Sequence, residues 1–358
     1  DKRQKGRKID VHFNGTLYPE QQVAAEKMLY NDIGVLAAAT AFGKTVLGAY
    51  LIAQKKVNAL VLVHNVEIMN NWIKDLNSFL TINEELPTYT TPKGRVKKRS
   101  SLIGTFSSQK DATTGIIDIA MITSLGREDN INELVRNYGM VIVDECHHAA
   151  AVTHENVLRA VTARYIYGMS ATINRGDKQD KKMFMQLGPI RHRYTAKERA
   201  QKQGIGHYIY PRFTRLVDLN QSEDRNPADY YRLIMQSELR NMQIVSDTID
   251  CVKRGRTPVV MTKYKEHAQK LYDMLQGSAD HVFLLQGGKS LKERAAIRED
   301  MAAVRADESI ILVAIGQYVG EGFNYPRLDT MLLAMPISFE GNVEQHAGRL
   351  NRDYEGKK

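Results

Sequence analysis

Val141-Ile142-Val143-Asp144-Glu145-Cys146-His147 is a β-branched run that stops abruptly at two adjacent acids. A strand buried on both faces reads as continuous apolar sequence, and open α/β sheets bind ligands at the carboxyl edge of their strands. Asp144 and Glu145 therefore emerge where a metal and a reacting group would sit. One acid can hold Mg2+ while its neighbour orients or deprotonates water, the division of labour that phosphoryl transfer to water needs. The plain alternative is a strand end with solvated carboxylates, and a phosphate-binding loop elsewhere decides between the two. Cys146 and the two histidines after it offer metal-ligating side chains, but no second Cys/His pair stands at zinc spacing.

Such a loop is present upstream. Ala38-Ala39-Thr40-Ala41-Phe42-Gly43-Lys44-Thr45 lies between an apolar run, Ile33 to Ala38, and a helical pattern, Thr45 to Ala53. Backbone N–H groups at the helix start would cradle phosphates, with Lys44 bringing positive charge to the β and γ groups and Thr45 ligating Mg2+. Of the glycines expected there only Gly43 is present, and the strict pattern fails at Ala38. A lysine loop followed about a hundred residues later by an acid strand specifies a nucleoside triphosphatase.

The chain has 358 residues, enough for about two domains, and its 43% hydrophobic content supports real cores. A formal net charge of +9 points to a polyanionic partner, most simply nucleic acid. Its cations are bunched at Lys2, Arg3, Lys5, Arg7 and Lys8, and again at Lys93, Arg95, Lys97, Lys98 and Arg99. Each bunch reads equally as a solvated tail or loop tip and as a phosphate contact. Two cysteines, Cys146 and Cys251, exclude a disulfide framework and fit a reducing compartment. No apolar run approaches membrane-spanning length and no signal peptide is visible. A soluble intracellular protein is expected, cytoplasmic or in the nucleoid or nucleus, with no membrane partner.

Strand and helix patterns alternate along the chain. Strands are expected at Ala59 to Val63, Ile116 to Ile122, Met140 to Val143 and Tyr165 to Tyr167, with helical spacing at Met69, Trp72, Ile73, Leu76 and Leu80. The basic segment Thr88 to Asp111 reads as a loop or hairpin, and the charged stretch Arg175 to Arg212 as the exit from a first domain. A second alternation has strands at Val259 to Thr262, Val282 to Leu285, Ile310 to Ile315 and Thr330 to Met335. Its helices are expected at Glu266 to Leu275, Leu291 to Val304 and Val343 to Leu350. The expected fold is α/β: two tandem domains, each a mostly parallel doubly wound sheet, with a ligand cleft between them. Its boundaries are a basic tail over 1–13, a first domain over 14–200 and a second over 201–358.

These motifs together resemble a superfamily 2 helicase core with two RecA-like domains, of the group containing type III restriction subunits and the xeroderma pigmentosum B type of repair helicase. The resemblance runs from about Leu17 to Arg352. It implies ATP and Mg2+ as ligands, the ATP lying in the inter-domain cleft. Gln21 in Leu17-Tyr18-Pro19-Glu20-Gln21 would hydrogen-bond the adenine base. Ala41, Phe42, Gly43, Lys44 and Thr45 would hold phosphates, Ala41 replacing a family glycine and remaining acceptable if its φ is negative. Asp144 would bind the metal with Thr45, Glu145 would be the base for water and His147 a coupling residue. Ser170-Ala171-Thr172 resembles the linkage motif. Arg175-Gly176-Asp177 resembles the repair helicase's Arg-Glu-Asp element without its middle acid, so no role is carried over.

In the second half, Gly320-Glu321-Gly322-Phe323-Asn324 resembles the fifth motif, with Gly322 at the nucleotide and Asn324 where many relatives have aspartate. Gln345-His346-Ala347-Gly348-Arg349-Leu350-Asn351-Arg352 matches Gln-x-x-Gly-Arg-x-x-Arg. On a helix Gln345, Arg349 and Arg352 share a face and can point together into the cleft. By the same resemblance His64, Asn65 and Thr123 with Ser124 mark nucleic-acid-contacting loops of the first domain, and Lys263 with Tyr264, Gln286, Gly287 and Gly288 those of the second. The implied activity is an ATP-dependent helicase or translocase on nucleic acid, DNA ahead of RNA. The rival from another class is a nucleotide-gated binding module with little turnover, motivated by Ala41 and Asn324. The chain ends soon after Arg352, where such relatives continue with another strand. A truncated second domain and further domains or subunits are therefore expected.

Overall fold

The computed structural model describes residues 3–91, 93–127, 130–147, 152–171, 180–203, 206–214, 226–288, 291–316, 323, 325–337, 340–350, 352 and 354. The chain divides into two compact units, Asp1–Arg199 and Ala200–Lys358.

The first unit is built on an eight-stranded sheet. Its order is Ile190–Tyr194, Ile33–Ala38, Tyr165–Ser170, Met140–Asp144, Ala59–Val63, Ile117–Met121, Ile103–Ser107 and Lys110–Asp111. Every pair is parallel except the last, an antiparallel edge. The central strands are apolar throughout because both faces are covered. Ala59, Val61 and Val63 enter one core with Leu47, Trp72 and Leu76, while Leu60 and Leu62 enter another with Tyr138, Val157 and Met183. Helices Lys44–Lys55 and Val66–Phe79 close the first face, and Val152–Ala160 and Asp180–Leu187 contribute to the second.

The second unit carries a four-stranded parallel sheet in the order His281–Leu285, Ile310–Ile315, Pro258–Thr262 and Thr330–Leu333. Ile311 and Val313 pack with Ile244 and Leu271 on one face; Leu312 and Ala314 pack with Met301 on the other. A buried imidazole fastens two helices, Glu238–Lys253 and Lys265–Leu275, to a strand end. His267 Nδ1 lies 2.8 Å from Thr262 Oγ1 and its Nε2 lies 3.0 Å from Asn241 Oδ1. Burial pushes its pKa down to about 4, so the ring is neutral and both nitrogens serve the network.

Three expectations differ from what is observed. The segment expected as a basic tail is docked: Val11–Phe13 pairs with Leu80–Ile82, and Ile9 and Val11 are buried. Two apolar residues among the cations supply what a free tail lacks. The stretch expected as a domain exit, within which the two units divide, also provides helix Asp180–Leu187, strand Ile190–Tyr194 and helix Ala196–Gln203. An edge strand needs only one partner, and Ile190-Arg-His-Arg-Tyr194 alternates too sparsely to read as a buried strand. Within the basic segment, Thr88–Thr90 and Val96–Lys98 form the expected hairpin, but Ile103–Ser107 joins the main sheet.

Helix Lys44–Lys55 packs against helix Val66–Phe79 at Gly48, where an added Cβ would lie 2.4 Å from Trp72 Cη2. The indole is fully buried and has nowhere to retreat. Gly48→Ala is expected to destabilise the protein by about 1–3 kcal/mol, measured as a lower midpoint in denaturant titration.

Candidate nucleotide site

The register of the sheet decides which side chains meet. Ile33–Ala38 and Met140–Asp144 both pair parallel with Tyr165–Ser170, so the phosphate loop, Ser170 and the two acids share one carboxyl edge. Lys44 Nζ donates to Glu145 Oε1 at 3.1 Å, joining residues 101 positions apart. Ser170 Oγ donates to Glu145 Oε2 at 3.2 Å, and His147 Nδ1 lies 2.8 Å from that same hydroxyl. The loop helix, the turn after the acid strand and the end of the middle strand thus converge on one carboxylate.

Asp144 is held differently. Its Oδ2 accepts the indole N–H of Trp72 at 2.8 Å, and its Oδ1 accepts the backbone N–H of Glu145 at 2.9 Å. Burial raises its pKa first and the neighbouring Glu145 charge raises it further. For Glu145 burial also opposes the charge, but Lys44 and His147 outweigh it and hold the carboxyl well below the usual range. Adjacent acids are therefore pushed in opposite directions: Glu145 is neutralised by the protein's own cation, and Asp144 is short of one.

That shortfall fits a hard divalent ion. Asp144 keeps lone pairs on both oxygens, and the Thr45 hydroxyl stands in the first turn of the loop helix. Mg2+ typically takes one or two protein oxygens and completes its shell with water and phosphate. Among the described residues no group of three or more His, Cys, Asp or Glu side chains is placed to hold a metal ion, and His148 lies outside them.

The phosphate loop departs from expectation at Ala41, whose φ is +65° rather than negative. The left-handed conformation costs an L-residue about 1–2 kcal/mol, and the following Gly43, at φ +83°, meets it without a side chain. Neighbours hold this shape. Gln21 Nε2 donates to Phe42 O at 2.7 Å and its Oε1 accepts from Tyr18 N at 2.9 Å, so the amide expected to read a base is anchored to the loop itself. Ala39 N donates to Tyr194 O at 2.9 Å, the Tyr194 ring packs on Phe42, and Arg199 donates to Ala41 O. Neither Tyr194 nor Arg199 carries a motif signature. The only cue available was that a strand and helix follow the first domain's apparent end.

The nucleic-acid candidates occupy strand ends. His64 and Asn65 follow Val63, and exposed Thr123 follows Met121, its partner in register. Asn65 also caps helix Val66–Phe79, its side chain accepting from Ile68 N at 2.8 Å. In the second unit Lys263 Nζ sits 4.3 Å over the Tyr231 ring, and Gln286 donates to Gln269 at 3.3 Å, with Gly287 next in the chain. Helix Glu340–Leu350 stops before Arg352, which therefore does not extend the Arg349 face as expected. Arg349 is buried and its Nη1 donates to Phe323 O at 3.2 Å. Gly320, Glu321, Gly322, Asn324, Thr172 and the stretch 175–177 lie outside the described residues, as does the side chain of Gln345.

Residues 14–175 match the family model of the type III restriction enzyme, res subunit. A putative ATP-dependent RNA helicase of Acanthamoeba polyphaga mimivirus is 23% identical over 355 residues, covering 96% of this chain and 62% of the relative. A probable helicase of Escherichia phage T5 is 24% identical over 340 residues, covering 91% and 66%. The DNA 3'-5' translocase XPB2 of Sulfurisphaera tokodaii is 22% identical over 182 residues, covering 51% and 36%. The chain is thus similar to helicases along nearly its whole length, and to the restriction-subunit family over residues 14–175. Among solved structures, the helicase domain of Pyrococcus furiosus Hef aligns with TM-score 0.54 at 12% identity, covering 94% of this chain and 93% of that one. The Type ISP restriction-modification enzyme LlaBIII bound to DNA aligns with TM-score 0.62 at 15% identity, covering 96% and 27%. Both likenesses are to the tandem RecA-like fold of the helicase core. The chain spans 62% and 66% of the length of the two viral relatives. No described helix is long and apolar enough to cross a membrane.

The chain's single tryptophan thus orients the Asp144 carboxylate. A hydrogen bond to a charged group contributes about 1.5–3 kcal/mol, and Trp72→Phe removes the N–H while keeping a ring. The Mg2+ concentration that supports nucleotide binding is expected to rise about tenfold, measured by titration calorimetry at fixed ATP.

Proposed function

We propose that this chain is the motor core of an ATP-dependent helicase or translocase acting on nucleic acid, with DNA ahead of RNA. The observation that carries the proposal is the contact of Lys44 with Glu145, which puts a phosphate-binding cation beside a buried, ionised base with Asp144 next to it. The ionised base also favours this reading over a binding module without turnover. The DNA preference draws support from the archaeal relative named as a DNA translocase and the restriction enzyme solved on DNA; the mimivirus relative is named for RNA.

In this mechanism the loop's backbone N–H groups and Lys44 bind the β and γ phosphates, so the ammonium exchanges Glu145 for the substrate. Glu145, released from Lys44 but still held by Ser170, accepts a proton from the attacking water. Asp144 and Thr45 would hold Mg2+, which supplies positive charge to the phosphoryl oxygens during transfer. His147 and Ser170 connect the base to the middle strand end, a path by which its charge state reaches the polar loops at the same edge. The strand-end loops at His64, Thr123, Lys263 and Gln286 grip the phosphate backbone, and alternating grip with ATP state moves the protein along a strand. Arg349 and Arg352 stabilise charge in the transition state.

The test is phosphate release with single- and double-stranded DNA and RNA. Strong stimulation by nucleic acid is expected, and tight binding without turnover would establish the module instead. Lys44→Ala should lower turnover by about 10² or more with the fold intact by circular dichroism. Arg352→Ala should cost about 10³ in turnover with nucleotide affinity little changed. Glu145→Gln should stop hydrolysis yet hold nucleic acid more tightly when ATP is added, whereas Arg352→Ala should not; equal behaviour of the two in a binding titration would remove the arginine from the mechanism.

A further inference from the structure

The amino edge of the first unit's sheet, opposite the nucleotide, carries an unneutralised basic ribbon. Hairpin Thr88–Thr90 with Val96–Lys98 leads into the start of strand Ile103–Ser107, which runs parallel to Ile117–Met121. The hairpin therefore lies at the end where the parallel strands begin, whereas Lys44 and Asp144 stand where they finish. From Leu86 to Lys110 the sequence contains no acid and six cations. Arg99 is used internally, stacked 4.3 Å over the Tyr89 ring and donating to Asp111 O. Lys93, Arg95, Lys97 and Lys98 are exposed and form no ion pair with any described residue.

The register assigns these cations to both faces. Lys97 pairs with Tyr89 and shares its face with Arg95, two residues away, while Lys98, opposite Thr88, projects from the other. The ribbon continues a second basic stretch. Residues 4–8 run along the same amino edge: Gln4 N donates to Thr162 O, and Asn58 N to Arg7 O, just before two central strands begin. Gly6 packs there so closely that a Cβ would lie 2.4 Å from Gly139 Cα. Arg7 Nη1 and Asp10 N both donate to Glu84, tying this stretch to the chain that enters the hairpin. Lys5 and Lys8 are exposed beside it.

We propose that this ribbon is a second nucleic-acid contact that takes duplex by its groove, outside the path gripped by the strand-end loops. It rests on the motor-core reading for its partner class. Two strands about 4.8 Å apart fit a major groove about 12 Å wide, whose walls are two phosphate backbones. Cations on both faces of a ribbon suit two walls, whereas an acidic protein surface would be met by one face only.

The experiment compares the full chain with a combined Lys93→Ser, Arg95→Ser, Lys97→Ser, Lys98→Ser variant, binding a blunt DNA duplex, a single strand of the same sequence and polyglutamate across a salt series without ATP. Duplex affinity is expected to fall about tenfold or more, and the log–log salt slope to flatten by about 0.9 per lost contact, with single-strand binding changed far less. A Lys93→Arg, Lys97→Arg, Lys98→Arg variant should retain both affinity and slope, separating charge from misfolding. Unchanged duplex affinity and slope in the serine variant overturns the proposal, as does lost polyglutamate binding with duplex binding intact. If the wild-type chain shows no stimulated phosphate release while the serine variant still loses duplex affinity, the motor reading fails and the ribbon stands.

Discussion

Lys44 Nζ and Glu145 Oε1, 3.1 Å apart, bring together two chain segments that only the sheet order can unite. Strand Tyr165–Ser170 lies between the loop strand and the acid strand, so its last residue is directed at the gap. Ser170 fills it by donating to Glu145. The arrangement separates the two acids in role without separating them in sequence. One is neutralised by a lysine of the protein, and the other, bonded to an indole and a backbone N–H, has its proton affinity raised by burial and by its neighbour's charge. Pushing neighbouring carboxylates apart in this way is how a site assigns one to metal and one to proton transfer.

Holding that geometry requires backbone conformations that L-residues avoid. Ala41 at φ +65° and Glu145 at φ +45° both lie in the left-handed region. Conformations of this kind persist where surrounding bonds over-determine them. At Ala41 the restraints come from outside the loop, through Gln21, Tyr194 and Arg199. At Glu145 they come from Lys44, Ser170 and the carboxylate of Asp144, which takes the Glu145 backbone N–H. The alanine in place of a glycine is thus compatible with the loop because a strand beyond it holds the Ala39 N–H and a helix beyond it holds the Ala41 carbonyl.

What could be read in advance follows from range. Strands buried on both faces announce themselves as apolar runs, and every strand that carries Lys44, Glu145 or their neighbours was of that kind. Loop chemistry was legible because Gly43, Lys44 and Thr45 act within one turn of each other. Trp72 was visible only as a helical core position, since its indole N–H meets Asp144 across 72 residues. Tyr194 and Arg199 meet the loop at a backbone N–H and a backbone carbonyl, groups that every residue carries, so nothing in the loop's own sequence pointed to them. Helices Pro227–Gln236 and Glu238–Lys253 were missed; the second packs Ile244, Val245, Ile249 and Val252 on the core, but polar Asn241 and Thr248 share that buried face and Leu239 and Met242 are exposed, which blurs the stripe.

The two edges of the first sheet are electrically separate and mechanically joined. Strand Ala59–Val63 has five residues, about 17 Å at the usual rise, with His64 at one end and Asn58 at the other. That exceeds the screening length of about 8–10 Å in physiological salt, so exposed charges at the amino edge have little direct effect on ionisation at the carboxyl edge. Asn58 is nevertheless bonded to Arg7, Gly115, Asn137 and Gly139, so residues 4–8 are fixed to the ends of the same strands whose other ends hold the acids. A load applied at the amino edge is passed along close-packed strands, which transmit strain because their interiors are nearly incompressible. Any influence of a polyanion bound there on the carboxyl edge would therefore run through displacement of the strands and not through charge.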